Sequence, residues 1–224
     1  MCGRYTLSTP TDLLAEIFQF ETAISLEPRF NIAPSQAAAV VRYEAAAGDR
    51  TLDLLKWGLV PFWAKDPSIG NRMINARSET VADKPAFRTS FRKRRCLVLA
   101  DGFYEWKKQT GPKQPFFFHR ADGLPFAMAG LWDRWTKGET DESLETFTIL
   151  TTSPNSEVAH VHQRMPVILD TQELAIWLDP DCQDATLLAR LLTPMTDGLL
   201  EGFPVSTYVN SPAHDGPDCI EPLA

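Results

Sequence analysis

The chain of 224 residues sets 22 Lys+Arg against 29 Asp+Glu, a formal charge of −7, with 44% hydrophobic and 23% charged residues. These proportions belong to a globular protein with a substantial core and exclude disorder, collagen-like repeats and coiled coil. Four cysteines without a CxxC pair speak against a disulfide scaffold or a zinc ribbon, and no apolar run reaches the roughly 18–20 residues of a membrane span.

The opening MCGRYTLSTP lacks the apolar stretch of a signal peptide, so a cytoplasmic protein with reduced thiols is expected. Thr9-Pro10 followed by TDLLAEIF predicts a capped helix with proline at its first position. Alternating or β-branched runs predict strands at 37–44, 51–58, 95–100, 103–107, 115–120, 146–152 and 166–170. Turn signals at Ala47-Gly48-Asp49, Thr110-Gly111-Pro112 and Ala121-Asp122-Gly123 separate several of them. The segments 171–178 and 184–192 predict two late helices, and 203–209 a last strand. Strands outnumber helices and do not alternate regularly with them. The expected fold is one α+β domain over residues 1–224, with a mainly antiparallel, curved or barrel-like sheet and a few flanking helices.

Charge is unevenly spread. The segment from Arg72 to Arg95 is rich in Lys and Arg, whereas the stretch from Thr171 onward is acidic with Arg190 as its one base. A locally basic segment keeps nucleic acid open as a partner, because phosphate contacts depend on the local field. The run Arg92-Lys93-Arg94-Arg95 reads equally as a DNA track or as a solvated turn before the next strand.

Four stretches carry candidate chemistry. Loss of Met1 exposes Cys2 as an N-terminal aminothiol, whose amine attacks an aldehyde to give an imine and whose thiol closes a thiazolidine ring. An α-amine near about 7.7–8.0 and a thiol near about 8.5 leave both nucleophiles available close to neutrality with modest help. Asn75, Arg77 and Glu79 crowd one polar segment, a composition suited to orienting a hydroxyl or phosphate. Glu105 lies between Tyr104 and Trp106: buried, it has a raised pKa suited to acid/base work; on a strictly alternating strand it faces solvent. His160 and His162 share the spacing of one strand face, but no carboxylate or cysteine stands at ligand spacing to His119 or His214, so no metal is expected.

Taken together, MCGRY, RFNIAPSQ (29–36), KWGLVPFW (56–63), MINARSET (73–80), ADGFYEWKK (100–108) and HQRMPVIL (162–169) resemble the SRAP family, the SOS response-associated peptidases. The closing VSTYVN (205–210) and CIEPL (219–223) resemble its C-terminal strand and tail. The resemblance runs over nearly the whole chain and implies an abasic-site processing protein. Its partner is single-stranded DNA containing abasic sites, and its product a covalent thiazolidine DNA–protein crosslink through Cys2. By that resemblance Cys2, Asn75, Glu105 and His162 are catalytic, while Arg4, Trp63, Arg77, Trp106 and Arg164 contact DNA. His160 and the tryptophans at 57, 132, 135 and 177 are left to the structure of the protein. No cofactor or metal is implied, and a monomer is expected. Division of proton transfer between Glu105 and His162 stays open, as does the source of Met1 removal, self-cleavage or a host aminopeptidase. A weak lyase activity follows from the imine. The competing readings are a cysteine peptidase acting on other proteins and a non-covalent DNA-binding module.

Overall fold

Strand β1 (Arg4–Leu7) is followed by helix α1 (Thr11–Phe18), and the computed structural model describes residues 2–44, 48–138 and 142–223. Met1 and Ala47, part of one expected turn, lie outside the described residues. Helix α1 starts without a side-chain cap: Pro10 holds the cap position, and the Thr9 hydroxyl donates instead to Asp101. Strands β2 (Arg29–Ile32), β3 (Ala37–Glu44), β4 (Asp49–Trp57) and β5 (Asn75–Arg77) come next. Helix α2 (Arg88–Lys93) leads into β6 (Arg95–Ala100), β7 (Gly102–Lys107), β8 (Gln114–Arg120), β9 (Phe126–Thr136) and β10 (Ser143–Thr152). The chain closes with α3 (Ser156–Ala159), β11 (Met165–Pro166), β12 (Ile168–Leu169), α4 (Leu174–Leu178), α5 (Ala185–Arg190) and β13 (Leu200–Pro204).

Three departures from the sequence expectations have physical causes. The last strand spans Leu200–Pro204 rather than 203–209; Thr207–Asn210 is a 3-10 turn whose Ser206 side chain accepts the Tyr208 N–H. Strand β9, the longest, carries no period-2 signal because its first half, FAMAGL, is buried on both faces. The run at 166–170 splits into β11 and β12, which pair with different strands, β10 and β9.

Two sheets share the fold. One is an antiparallel five-stranded sheet in the order β13-β8-β7-β1-β2. In the other, β10 pairs with both β4 and β9, so β4-β3-β6-β9-β10 closes into a five-stranded barrel. The barrel is antiparallel except at the β4–β10 seam, which is parallel. Beyond Trp57 the chain leaves this seam, and β5 takes its place beside β10, also parallel. The departure runs through Gly58 at φ +126, where an added Cβ would stand 2.7 Å from the Gly70 carbonyl oxygen. Only glycine accommodates that backbone angle and that approach. Trp57 then fixes the return: its ring packs edge-on against Tyr5 and stacks on Phe147, and its indole N–H donates to the Ile74 carbonyl at 2.8 Å.

The basic run 92–95 divides. Arg92 and Lys93 are exposed, Arg94 pairs with the buried Asp133, and Arg95 is 5% exposed. The Arg95 guanidinium donates to the carbonyls of Phe91, Arg92, Trp177, Asp179 and Cys182, stapling α2 and β6 to the acidic C-terminal region. Half of the run is therefore scaffold and not a DNA track. We expect Arg95→Ala to cost about 3 kcal/mol or more, by leaving buried carbonyls unpaired, while Arg92→Ala and Lys93→Ala stay within about 0.5 kcal/mol, as read from denaturant midpoints.

Candidate active site

Strand β1 pairs with β7 so that Arg4 lies opposite Tyr104 and Tyr5 opposite Phe103. Along β7, Phe103 and Glu105 share one face, and Tyr104 and Trp106 the other. Phe103 enters the main core, whereas Tyr104 and Trp106 pack in a smaller cluster with Phe117, Val209 and Cys219. The alternation thus turns Glu105 inward at 2% exposure, and the solvent-facing alternative is overturned. Burial pushes its carboxyl pKa up to about 7.

His162 reaches the same carboxyl from the loop between α3 and β11, with Nδ1 3.6 Å from Glu105 Oε1. The backbone of Arg164 brackets that nitrogen, its N–H at 3.1 Å and its carbonyl oxygen at 3.0 Å. Burial lowers the His162 pKa, so the imidazole is neutral at pH 7. Near neutrality the two groups hold one exchangeable proton between two environments, the condition for acid and base work at one site.

Cys2 is fully buried, and its thiol lies 3.7 Å from the Arg4 carbonyl oxygen. Burial, reinforced by the negative charge of Glu105, drives the thiol pKa upward. In the chain that retains Met1, Cys2 thus carries its proton. The Asn75 side chain donates through Nδ2 to the Cys2 carbonyl at 2.8 Å, and its Oδ1 is buried with no hydrogen-bond partner among the described residues. Strand β5 seats that amide beside β10 through the Ile149–Asn75 register, so the bond ties the barrel side to the residues that lead into β1.

Arg77, Trp106, Lys107, Lys108, His162 and Arg164 line an open groove of about 590 Å³. Arg77 is exposed and forms no ion pair among the described residues. Lys107 and Lys108 were not singled out from the sequence, although they directly follow the Glu105-Trp106 pair and were legible there as cations. The Trp106 indole donates to Asn210 Oδ1, which fixes its ring at the groove wall. His160 faces the same groove, edge-on to Phe116.

Other assignments change. Arg4 donates to Asn31 Oδ1 and to the carbonyls of Val209 and Asn210, so its guanidinium clamps the C-terminal segment instead of facing the groove. Arg164 is held bidentately by Glu79 and also donates to the Thr151 carbonyl, so its two terminal nitrogens are engaged within the protein. Trp63, 49% exposed, lies outside the groove and lines a separate depression with Lys65 and Arg72. Trp57 and Trp177 are core, but Trp132 is half-buried beneath the Arg42 guanidinium, and Trp135, also half-buried, donates to the Ala64 carbonyl. Among the described residues no three His, Cys, Asp or Glu side chains are grouped to hold a metal ion, and no helix is long and apolar enough to cross a membrane.

Two outcomes follow. The folded pKa of Glu105 is raised, so between about 4.5 and 7 the unfolded chain loses a proton that the folded chain keeps, and stability falls as pH rises through that window. Glu105→Gln is therefore expected to be more stable than the parent at pH 8, by on the order of 2 kcal/mol, with the gain vanishing near pH 4.5 in thermal melts. Among the free thiols, Cys2, Cys96 and Cys219 are buried and Cys182 is partly exposed, so alkylation of the native protein followed by peptide mass mapping should label Cys182 first.

Comparison with known proteins agrees along the whole chain. The family model for SOS response associated peptidase (SRAP) matches residues 1–212. Abasic site processing protein YoqW of Bacillus subtilis (strain 168) is 40% identical over 225 residues, covering 99% of both chains. Abasic site processing protein HMCES of Gallus gallus is 35% identical, covering 88% of this chain and 66% of its own length. A crystal structure of a protein from Bacteroides thetaiotaomicron superimposes with a TM-score of 0.89 at 26% identity, covering 100% of both chains. With two full-length likenesses and a family match that takes in Cys2, Asn75, Glu105 and His162, this chain belongs to the SOS response associated peptidase (SRAP) family.

Proposed function

We propose that this protein processes abasic sites in single-stranded DNA by forming a thiazolidine crosslink through Cys2 once Met1 has been removed. The observation that carries the reading is a chain of contacts: Asn75 clamps the Cys2 carbonyl, buried Glu105 stands 3.6 Å from His162, and His162 lines a groove with a row of cations. The names of the relatives, abasic site processing proteins, support it.

The chemistry follows from the aminothiol. The freed α-amine, titrating near about 7.7–8.0, adds to the aldehyde carbon of the ring-opened sugar to give a carbinolamine. Loss of water needs a proton on the departing hydroxyl, and a carboxyl with a pKa of about 7 supplies it at neutral pH. The Cys2 thiol then adds to the imine carbon, its sulfur forming the new bond while its proton ends on the ring nitrogen. Aldehyde plus aminothiol gives thiazolidine plus one water. Because the buried thiol is protonated, the ionised form of Glu105 or neutral His162 takes up its proton in passing. Asn75 holds the Cys2 carbonyl and so helps fix the direction of the amine, and its buried Oδ1, without a partner among the described residues, is available as an acceptor. Self-cleavage of the Met1–Cys2 bond and slow β-elimination from the imine draw on the same residues.

In the groove, Arg77, Lys107 and Lys108 take phosphates and Trp106 stacks on a base, while Trp63 serves the strand beyond the groove. This protein acts as a monomer in the cytoplasm, where Cys2, Cys96, Cys182 and Cys219 remain reduced. The alternative, a peptidase acting on other proteins, requires the thiol itself to open the attack, whereas in the crosslink the α-amine does so and the protonated thiol follows.

The test is intact mass after mixing the protein that begins at Cys2 with an abasic oligonucleotide. A heat-stable adduct of summed mass less one water is expected, and none from Cys2→Ala or from protein retaining Met1. A full-strength adduct from Met1-retaining protein sinks the mechanism. Glu105→Gln should slow single-turnover adduct formation by about 10²–10⁴-fold while non-covalent binding persists. Arg77→Ala should flatten the salt dependence of binding by about 0.7 log units per log unit of salt, one phosphate's worth.

A further inference from the structure

Glu79 has no part in the chemistry above, yet it holds one of the groove's arginines. It lies in the 3-10 turn Ser78–Thr80 immediately after β5, with its side chain about half exposed. Both of its oxygens accept from Arg164, Oε1 from Nη1 and Oε2 from Nη2, the latter at 3.0 Å. That fork lowers the Glu79 carboxyl pKa, so the pair is charged at neutral pH. A surface ion pair of this exposure ordinarily contributes little to stability.

The surroundings give this pair more to do. Arg164 Nη2 also donates to the Thr151 carbonyl on β10, and the arginine side chain is only 16% exposed. Thr151 is paired with Arg77 of β5 on one side and with Pro166 of β11 on the other. The guanidinium is therefore locked to the strand that also seats Asn75. Its own backbone, in turn, contacts His162 Nδ1 through both its N–H and its carbonyl. With the side chain anchored at Glu79 and at the Thr151 carbonyl, the loop backbone that brackets the imidazole is tied to β10, and the imidazole stands 3.6 Å from Glu105.

We propose that Glu79 is a positioning residue for His162, acting through the bidentate hold on Arg164 that keeps the imidazole at Glu105. The proposal rests on the function argued above. In it, Arg164 serves the site through its backbone while its forked edge is occupied by the protein's own carboxylate.

The experiment separates positioning from competition for phosphate. Affinity is measured with an oligonucleotide bearing a tetrahydrofuran abasic analogue, which cannot react, and single-turnover crosslinking with the aldehyde form. For Glu79→Gln the analogue should bind within about twofold of the parent, while crosslinking slows by about 10-fold to 100-fold, the scale set by small misplacements of a reacting group. Arg164→Lys keeps the charge but loses the fork, and should show the same rate defect. The double variant should be no slower than the slower single, because both break one link. The nitrogen chemical shifts of the His162 imidazole should change in Glu79→Gln, with the melting temperature within a few degrees of the parent. Tighter binding of the analogue by Glu79→Gln with an unchanged rate overturns the proposal and makes Glu79 a competitor of phosphate. Unchanged shifts and rate, or additive defects in the double variant, also overturn it. If the parent protein gives no adduct, the functional reading fails instead, and the His162 shifts still decide the role of Glu79.

Discussion

A carboxyl group kept almost entirely out of water is costly unless it gives up its charge, and Glu105 is placed at that balance. Desolvation brings its pKa to about 7, where protonated and ionised forms are both present. The same burial keeps His162 neutral and Cys2 protonated. Exclusion of water sets the protonation of Cys2 and Glu105, and partial burial at the groove edge lowers the His162 pKa in the same sense. A carboxyl at that balance is able to act as acid in one step and base in the next, which is the role proposed for it above.

That condition needs two independently built surfaces to meet. Cys2 leads into β1 of the open five-stranded sheet, which also holds Glu105, while Asn75 belongs to a strand added to the barrel and His162 to the loop entering β11. The contact is held at Asn75, whose amide grips the Cys2 carbonyl, and behind it at Trp57, which fixes the residue before Asn75. On the far side of β1, Arg4 and Asn31 bind the carbonyls of the C-terminal segment, and Asp215 accepts the Phe30 and Asn31 N–H groups. The N-terminal strand is thereby held from both faces, which gives Cys2, the nucleophile proposed above, the fixed position that proximity effects require.

Charge follows the same division between scaffold and site. A chain of net charge −7 presents a cationic groove because its arginines have different duties. Arg95, Arg94, Arg4 and Arg164 are consumed by carbonyls or carboxylates within the protein, and Arg77 with its lysine neighbours is left to the groove. Counting basic residues along the segment therefore overstates the field available to a phosphate chain.

The sequence by itself determined the strand-rich α+β architecture, because alternation and turn residues are local signals, and β3 and β6 fall at the bounds their patterns predict. It also determined the identity of the chemically able residues, since an aminothiol, a carboxyl and an imidazole are recognisable wherever they stand. Strand β9 stayed hidden, since burial on both faces erases alternation, and 203–209 was misread because a 3-10 turn with Val and Tyr has the composition of a strand. Only the tertiary structure decided which way Glu105 points and that Cys2 is sealed from solvent. It alone showed that Arg4 and Arg164 are spoken for, and that Lys107 and Lys108 face the groove. The physical reason is that desolvation and ion pairing depend on what the remainder of the chain brings within a few ångströms, here across sequence separations of about a hundred residues for Cys2 and Glu105 and 85 for Glu79 and Arg164.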